Sequence, residues 1–427
     1  MIKKLKLLLK RDFIKSFLTL FTGSVIAQAI VFGVTPILSR QYSEELFGVF
    51  FTFSAICMIM HVLAALRLEV AIVLPEKDED AVNLVVAGFL VVVAVTFVSL
   101  ILVVFGQQIF YWLFEEEELN KWLIALPIST FFIGIFRLLT SWNIRKNQYK
   151  EISLANIHKS LFMSAIQLGM GVFSFNYFGL IFGLIGGQIA SAMYFIHKNL
   201  KELFSLKNHI SFQRMKALLI QYKAIPIYST LNDFLNMVSG QLPLLMLTPI
   251  FGLTATAWYG MANRIVSTPT GLIGQSVSQI FYKKASDCYN KKSGLYQLVI
   301  STYKGLLKVA VIPFLFFAFT APFIFRVFFG EEWEEAGKMS QLLLPWLFLA
   351  FLNAPVSGIF TVINKLKPML IYNIVLFIFR FATLYFSQYY FRDLDTAIFL
   401  YGLVGFLFNA FFAIYIIYLS KKAEECF

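Results

Sequence analysis

The chain has 427 residues, of which 59% are hydrophobic and only 14% are charged, and its mean hydropathy is +0.74. Soluble globular proteins average about 25% charged residues, so the composition excludes that class. The formal net charge is +12, but the basic residues concentrate in alternate loops. Membrane topology, rather than binding of nucleic acid or anionic lipid, is therefore the main explanation of the charge.

Apolar residues fall into runs of about twenty or more, the length at which a helix crosses roughly 30 Å of hydrocarbon. We predict an all-α integral membrane protein of twelve spans, without a separate soluble domain. The basic segment MIKKLKLLLKRDFIK precedes a run too long for a signal peptide, so we interpret it as a cytoplasmic lead-in. The predicted spans are 16–38, 47–72, 82–105, 121–142, 154–175, 177–197, 224–249, 253–282, 298–322, 339–363, 368–390 and 396–419.

The longest gap between spans is basic and polar, and it divides the chain into two halves of six helices. We predict an N-terminal six-helix bundle over 1–200, a cytoplasmic linker over 201–223 and a C-terminal six-helix bundle over 224–427. Thr-Pro-Ile recurs at 35–37 and 248–250, between the first and second helices of each half. This echo favours parallel repeats with a substrate site near the midplane.

The placement of Lys and Arg predicts the orientation. Of the 36 such residues, 28 lie in segments and helix ends on the side of the N-terminus and 5 lie on the opposite side. The remaining three, Arg137, Arg264 and Arg380, lie inside spans. Since cytoplasmic loops carry the excess of Lys and Arg, both termini are predicted to be cytoplasmic.

Arg264 lies well inside the eighth span, WYGMANRIVSTPTGLIGQSVSQIFYKK. At about 100° per residue, Gln275 and a row of small or hydroxyl residues share its face, while apolar side chains cover the other. Arg264 lies roughly 16 Å from the outer end at 1.5 Å per residue. A central arginine costs about 2.5–3.5 kcal/mol on the gentler insertion scale, so it should face a cavity or a partner.

Other spans repeat this pattern, and together they predict a wet, cationic central cavity suited to an anionic substrate, since guanidinium groups match phosphate oxygens well. Asp233 is the acidic residue near the middle of a span and is the candidate for coupling to H⁺ or Na⁺. The candidate substrate-binding residues are Arg264, Arg380, Gln275, Gln28, Asn236, Asn373, Arg137 and Arg67.

Structural alternatives exist for each of these residues. Amide and small residues on a helix face often only pack against neighbouring helices. Arg67 and Arg137 lie near the cytoplasmic ends and can snorkel to the interface. Glu69 either pairs with Arg67 or reaches the lipid headgroups. Asp233 alternatively forms a structural salt bridge with one of the central arginines or a simple helix contact.

No motif of catalysis or cofactor binding is evident. The sequence has no nucleophile elbow and no Walker loop, and its three cysteines and four histidines lack metal-ligand spacing. We therefore predict that the chain is not an enzyme and requires neither cofactor nor metal.

Several segments, in order along nearly the whole chain, resemble the polysaccharide (O-antigen-type) flippases of the MOP exporter superfamily, which also contains the MATE antiporters and lipid II flippases. They are LRLEVAIVLPEKDEDAVNLV (66–85), WNIRKNQYKEISLANI (142–157), IPIYSTLNDFLNMVSGQLPLLML (225–247), MANRIVSTPTGLIGQSVSQIFYKKASD (261–287) and FFGEEWEEAG (328–337).

The resemblance implies a MATE-like, V-shaped fold that works by alternating access in the bacterial inner membrane. It implies an undecaprenyl-pyrophosphate-linked oligosaccharide as substrate, flipped to the outer leaflet for O-antigen, capsule or exopolysaccharide synthesis. Arg264 and Arg380 would then meet the pyrophosphate or acidic sugars. Membrane lipids and other polysaccharide-assembly proteins are the implied partners. Asp233 departs from the family pattern, in which an uncharged polar residue is more usual.

The sequence leaves three other functions as alternatives. A MATE-like, cation-coupled exporter of small organic molecules is the main alternative, although such a cavity would favour acidic residues over arginines. A membrane polymerase or glycan ligase would carry a large outer loop, whereas the outer loops here are at most about twenty residues long. A structural subunit of a larger assembly has no positive feature in its favour.

Overall fold

A computed structural model describes the backbone of residues 2–173, 178–223, 225–363 and 365–425, and all side chains in these ranges except those of 2–17, 228 and 366. The described residues form helices joined by short turns, which confirms the all-α fold class. Nine of the described helical segments are long and apolar enough to cross a membrane. The chain is therefore a multi-pass membrane protein.

The chain divides into two compact units, Met1–Gln241 and Leu242–Phe427. Helix α10 begins in the first unit and continues into the second. The helices are α1 (Ile2–Gln41), α2 (Glu44–Leu63), α3 (Leu68–Ala71), α4 (Asp78–Phe114), α5 (Glu117–Trp122), α6 (Leu126–Arg145), α7 (Tyr149–Val172), α8 (Gly179–Ser205), α9 (Phe212–Gln221), α10 (Thr230–Asn290), α11 (Leu295–Phe329), α12 (Glu334–Asn353), α13 (Ile359–Val362), α14 (Leu366–Tyr390) and α15 (Leu394–Glu425).

In the first unit, α7 packs against both α1 and α8, and small residues allow these helices to approach closely. A Cβ added at Gly23 would overlap Ser153, whose hydroxyl donates to the carbonyl of Thr19 at 2.9 Å. The cores of the unit include Trp142 and Phe195, neither of which is exposed. Close backbone packing and aromatic burial thus stabilise this unit together.

In the second unit, α12 packs against α11 and α15 around a phenylalanine-rich core. The rings of Phe360 and Phe412 stack with centroids 5.2 Å apart. A buried polar chain runs through the same core, since Tyr303 donates to Asn353 Oδ1 at 2.9 Å and Asn353 donates to the carbonyl of Asn409 at 2.8 Å. Each buried amide thereby gains partners that lipid does not supply.

Two predicted spans are interrupted in the structure. The second span, predicted as one helix, is interrupted between α2 and α3, where Leu66 and Arg67 have φ of 45° and 59°. The tenth span is interrupted by turns over 354–358. The sequence at the first interruption contains no Pro or Gly that would have predicted it. In addition, a short helix, α9, lies in the predicted linker.

The seventh and eighth predicted spans form one continuous element that kinks at Gly252, with φ 86° and ψ 177°. This conformation is essentially restricted to glycine, and it lies within the connection predicted at 250–252. The fifth and tenth predicted spans correspond in part to α7 and α12, which are not among the nine apolar segments, and residues 174 and 175 of the fifth lie outside the described residues. The count of twelve spans stays a prediction.

Candidate functional site

Arg264 lies on α10 with its side chain half-buried. Thr268, one turn later, donates its hydroxyl to the carbonyl of Arg264 at 2.7 Å, a backbone bond common for hydroxyl residues in membrane helices. The guanidinium group itself makes no hydrogen bond or ion pair with any described side chain. Arg264 therefore stays a candidate for ligand binding.

The helix face that follows Arg264 lines a cavity of about 510 Å³ in the second unit. A Cβ added at Gly271 or Gly274 would meet nothing within 4 Å, so these glycines keep the cavity open. Apolar residues of α12 and its C-terminal turn form the opposite wall. The α10 residues that line the cavity are Ser267, Thr270, Gly271, Gly274, Gln275, Ser278 and Gln279, and the facing residues are Leu347, Ala350, Phe351 and Ala354.

Arg380, on α14, has a different environment. It is only 6% exposed, and its guanidinium carbon lies 4.6 Å from the ring centroid of Trp346 and 5.2 Å from that of Tyr401. The rings of Trp346 and Tyr401 meet edge to face, and Tyr259 packs against Tyr401 in the same way. Aromatic rings rather than carboxylates therefore compensate this buried cation.

The first unit contains a charged cluster formed by Arg67, Glu69, Arg137 and Asp233. Arg137 Nη2 donates to Glu69 Oε1 at 2.7 Å, and Arg67 Nη1 lies 3.5 Å from the same oxygen. Arg67 also pairs with the carboxylate of Asp233. The Glu69 side chain is only 6% exposed, and its second oxygen, Oε2, has no described hydrogen-bond partner.

The interruption of the second predicted span builds this cluster. The positive φ values at Leu66 and Arg67 end the helical path, so that α3 places Glu69 in the interior. The segment Ile225–Ser229 forms one π-helical turn before α10 and contacts α3, which brings Asp233 to Arg67. Such π-helical turns often occur at functional sites.

His61 extends the cluster toward α8. Its carbonyl oxygen accepts a hydrogen bond from Arg137 Nη1 at 2.5 Å, and its ring Nε2 lies 3.4 Å from the side-chain amide nitrogen of Gln188. These contacts link helices α2, α6 and α8 through polar groups.

The structure brings some of the predicted site residues together and leaves others apart. Arg67, Arg137 and Asp233 meet through Glu69, and Gln275 lines the α10 cavity. Gln28 and Asn236 are exposed, and Asn373 is half-buried on α14. Asp233 pairs with Arg67 rather than with either central arginine, the pairing weighed from the sequence. Glu69 was recognised only as a possible partner of Arg67, and its link to Arg137 was missed.

No group of three or more His, Cys, Asp or Glu side chains in the described ranges is arranged to hold a metal ion.

The described fold is that of a helical, multi-pass membrane protein with arginine side chains in its interior. The family described as "Polysaccharide biosynthesis protein" matches residues 12–338, so the chain belongs to this family. The resemblance to the polysaccharide flippases of the MOP superfamily is thereby confirmed. A search of curated proteins found no match.

Solved structures support the fold. A structure titled "Lipid II flippase MurJ, inward closed conformation" is similar with TM-score 0.68 and 15% identity, covering 95% of this chain and 90% of that one. The inward-facing conformation of a MATE multidrug transporter of the MOP superfamily has TM-score 0.65 and 13% identity, with 95% of both chains covered. A MATE structure in complex with MaL6 also has TM-score 0.65 and 13% identity, covering 96% and 97%.

Proposed function

We propose that the chain flips undecaprenyl-pyrophosphate-linked oligosaccharides from the cytoplasmic to the outer leaflet of a bacterial inner membrane. The glycan then serves the synthesis of a surface polysaccharide such as O-antigen, capsule or exopolysaccharide. Family membership in polysaccharide biosynthesis and a fold shared with MOP transporters support this proposal. Both termini are cytoplasmic in the proposed topology.

The observation that carries the proposal is the guanidinium of Arg264, which has no hydrogen-bond or ion-pair partner among the described side chains. A cation near the centre of a membrane helix is costly unless a partner or water compensates it. A pyrophosphate group supplies that partner, because its oxygens accept paired N–H bonds from a guanidinium in a planar geometry. Gln275, on the wall of the neighbouring cavity, adds an amide suited to sugar hydroxyls.

Arg380 contributes in a different way. Enclosed by Trp346 and Tyr401, its charge acts on the substrate through positive potential in a medium of low dielectric constant rather than through direct contact. The charged cluster supplies the coupling step. Binding of H⁺ or Na⁺ at Asp233 neutralises its carboxylate and releases Arg67, which changes the balance between the two states of an alternating-access cycle.

The test is a flipping assay with the purified protein in proteoliposomes. A fluorescent polyprenyl-pyrophosphate oligosaccharide is followed by its protection from an external reagent. We expect Arg264→Gln to lose more than about 90% of the protein-dependent rate, since one lost charge-assisted hydrogen-bond pair costs roughly 1.5–3 kcal/mol. Arg264→Lys keeps the positive charge but lacks the planar, paired N–H donors of the guanidinium group, so it should retain part of the flipping rate.

Arg326→Gln is the matched control, because Arg326 lies in the same unit but is half-exposed and interacts with Glu334 at 3.6 Å. Its flipping rate should stay near that of the wild type. Equal flipping by wild type and Arg264→Gln would contradict the role of the arginine. Export of small organic cations without glycan flipping would favour the MATE-like alternative, for which the buried carboxylate of Glu69 is the supporting observation.

A further inference from the structure

A second cavity lies in the second unit, distant in sequence from Arg264, and has a volume of about 720 Å³. Three segments line it: the end of α10 with its following turn, the connection before α14, and the end of α15. We call it the basic pocket. Its lining residues are Tyr289, Asn290, Lys292, Ile363, Lys365, Pro368, Tyr415, Tyr418, Leu419, Lys422 and Ala423.

The charge of the basic pocket is positive. Lys292, Lys365 and Lys422 line it, and no acidic residue does. Within the described part of the chain, none of these three ammonium groups forms an ion pair. The nearest carboxylate in sequence, Glu424, instead accepts hydrogen bonds from the backbone N–H groups of Gly294 and Tyr296 at 2.7 and 3.1 Å.

The walls of the basic pocket have the composition of a membrane interface. Three tyrosines line it beside apolar side chains such as Ile363 and Leu419. Tyrosine is enriched at the level of the lipid headgroups, where its ring meets hydrocarbon and its hydroxyl meets water. Lys422 Nζ lies 5.9 Å from the ring centroid of Tyr418, so a positive charge and an aromatic ring lie side by side in the wall of the basic pocket.

An exposed apolar stripe leads from the basic pocket along α15. Tyr418, which lines the pocket, is 54% exposed, and Ile414, Phe411 and Leu407 follow at spacings of three or four with exposures of 67%, 61% and 56%. Residues at these spacings share one helix face. A ligand with its polar group among the lysines therefore has a continuous apolar surface on which to lay its chains.

We propose that the basic pocket binds the phosphate headgroup of an anionic phospholipid, with its acyl chains along the α15 stripe. Inorganic phosphate has the same charge but gains nothing from the stripe, so the geometry favours the lipid. Clustered lysines beside membrane helices recognise anionic headgroups in this manner, mostly on the cytoplasmic side. The predicted topology places the basic pocket on that side, since it adjoins the C-terminus. The bound lipid would tie the ends of α10 and α15 to the connection before α14.

The experiment is native mass spectrometry of the full-length protein released from detergent micelles, with phosphatidylglycerol and phosphatidylcholine titrated in turn. The test variant is Lys292→Gln/Lys365→Gln/Lys422→Gln. We expect it to lose at least about tenfold of the preference for phosphatidylglycerol, since each lysine contributes roughly fivefold near an anionic surface. A Lys→Arg triple variant at the same positions should retain the preference.

The matched control is Lys201→Gln/Lys207→Gln/Lys216→Gln, which removes three exposed lysines of the first unit and should leave the preference unchanged. An equal loss of the phosphatidylglycerol preference in the control would show that the effect depends only on the net charge of the protein, and it would overturn the proposal. An unchanged preference in the test variant would also overturn it.

Competition identifies the source of the phosphate. The proposal expects that millimolar inorganic phosphate will not displace phosphatidylglycerol. Displacement by inorganic phosphate would assign the basic pocket to a soluble anion. Stronger binding of farnesyl pyrophosphate, lost in the same triple variant, would assign it to a polyprenyl substrate. Either result would overturn the phospholipid assignment while leaving the flipping assay on Arg264 unaffected.

Discussion

Arg137 in the first unit donates to the carboxylate of Glu69 at 2.7 Å, whereas Arg380 in the second unit lies between the rings of Trp346 and Tyr401. Both arginines lie inside predicted membrane helices and are candidate substrate-binding residues from the sequence, although the sequence also allows Arg137 to snorkel to the interface. Arg67 follows the first pattern through Asp233, and Arg264, without a described partner, follows neither. The arginine side chains inside the protein therefore occupy three different environments.

The difference distinguishes arginines whose charge a carboxylate neutralises from arginines whose charge can still act on a ligand. A buried carboxylate neutralises an arginine locally and leaves little field for a substrate, while an aromatic cage compensates the cation without cancelling its charge. The second unit therefore keeps positive potential around Arg380. The first unit keeps balanced charges that can rearrange when one of them is neutralised.

The largest expected effect is on stability and comes from Glu69→Gln. The substitution keeps the shape of the side chain and an oxygen that can accept from Arg137, but it removes the negative charge that neutralises this arginine in the interior. Breaking a buried pair from one side costs about 3–5 kcal/mol. Denaturant unfolding in micelles measures this loss, and Glu69→Gln/Arg137→Gln should recover a large part of it.

Glu117→Gln provides the comparison, because Glu117 is exposed and pairs with Lys121 at 3.1 Å on the surface. Its unfolding midpoint should hardly move. If Glu69→Gln behaved in the same way, the charged cluster would not contribute to the stability of the first unit, and the contrast with Arg380 would disappear.

The charged cluster also indicates how far sequence reasoning reaches. The period of polar residues on α10 predicted one face that holds Gln275 with small and hydroxyl residues, and Gln275, Gly271 and Ser278 line one cavity. The position of Glu69 in the charged cluster was harder to predict, because the only signal in the sequence was a carboxylate two residues after Arg67 near the end of an apolar run. Glu69 lies just after the turn at Arg67, and nothing in the local sequence predicts the positive φ of that residue.

The fold was predictable to a similar extent. Runs of about twenty apolar residues predicted the long helices, and the kink at Gly252 falls where a connection was predicted. The interruption before α3 was missed, because LRLEVAIVL contains neither Pro nor Gly and has the composition of a continuous helix. The rings around Arg380 come from α12 and α15, and periodicity within one helix gives no information about its neighbours.

Asp233→Asn tests the role of the second carboxylate in the charged cluster. About a quarter of each partner's side chain is exposed in the Arg67–Asp233 pair, and Arg67 keeps Glu69 within 3.5 Å. The loss of stability should therefore not exceed about 1 kcal/mol. Flipping should continue but lose its response to an imposed H⁺ or Na⁺ gradient, as measured in proteoliposomes with and without the gradient.

Asp287→Asn is the control for this experiment, since Asp287 is an exposed carboxylate on the same helix. Its response to the gradient should match that of the wild type. A gradient response that persists in Asp233→Asn would remove the carboxylate from the coupling step and leave it with the structural role of holding Arg67.

Arg380→Met should also change stability by no more than about 1 kcal/mol. Loss of the cation–π contacts, about 2 kcal/mol for a desolvated pair, is offset because a buried cation with an unsatisfied Nε no longer has to be desolvated. Methionine also packs well against Trp346 and Tyr401. The flipping rate should nevertheless fall, since the positive potential is gone. A loss of 3 kcal/mol or more in unfolding would instead make Arg380 a structural charge like Arg137, and the two units would then hold their arginines for the same reason.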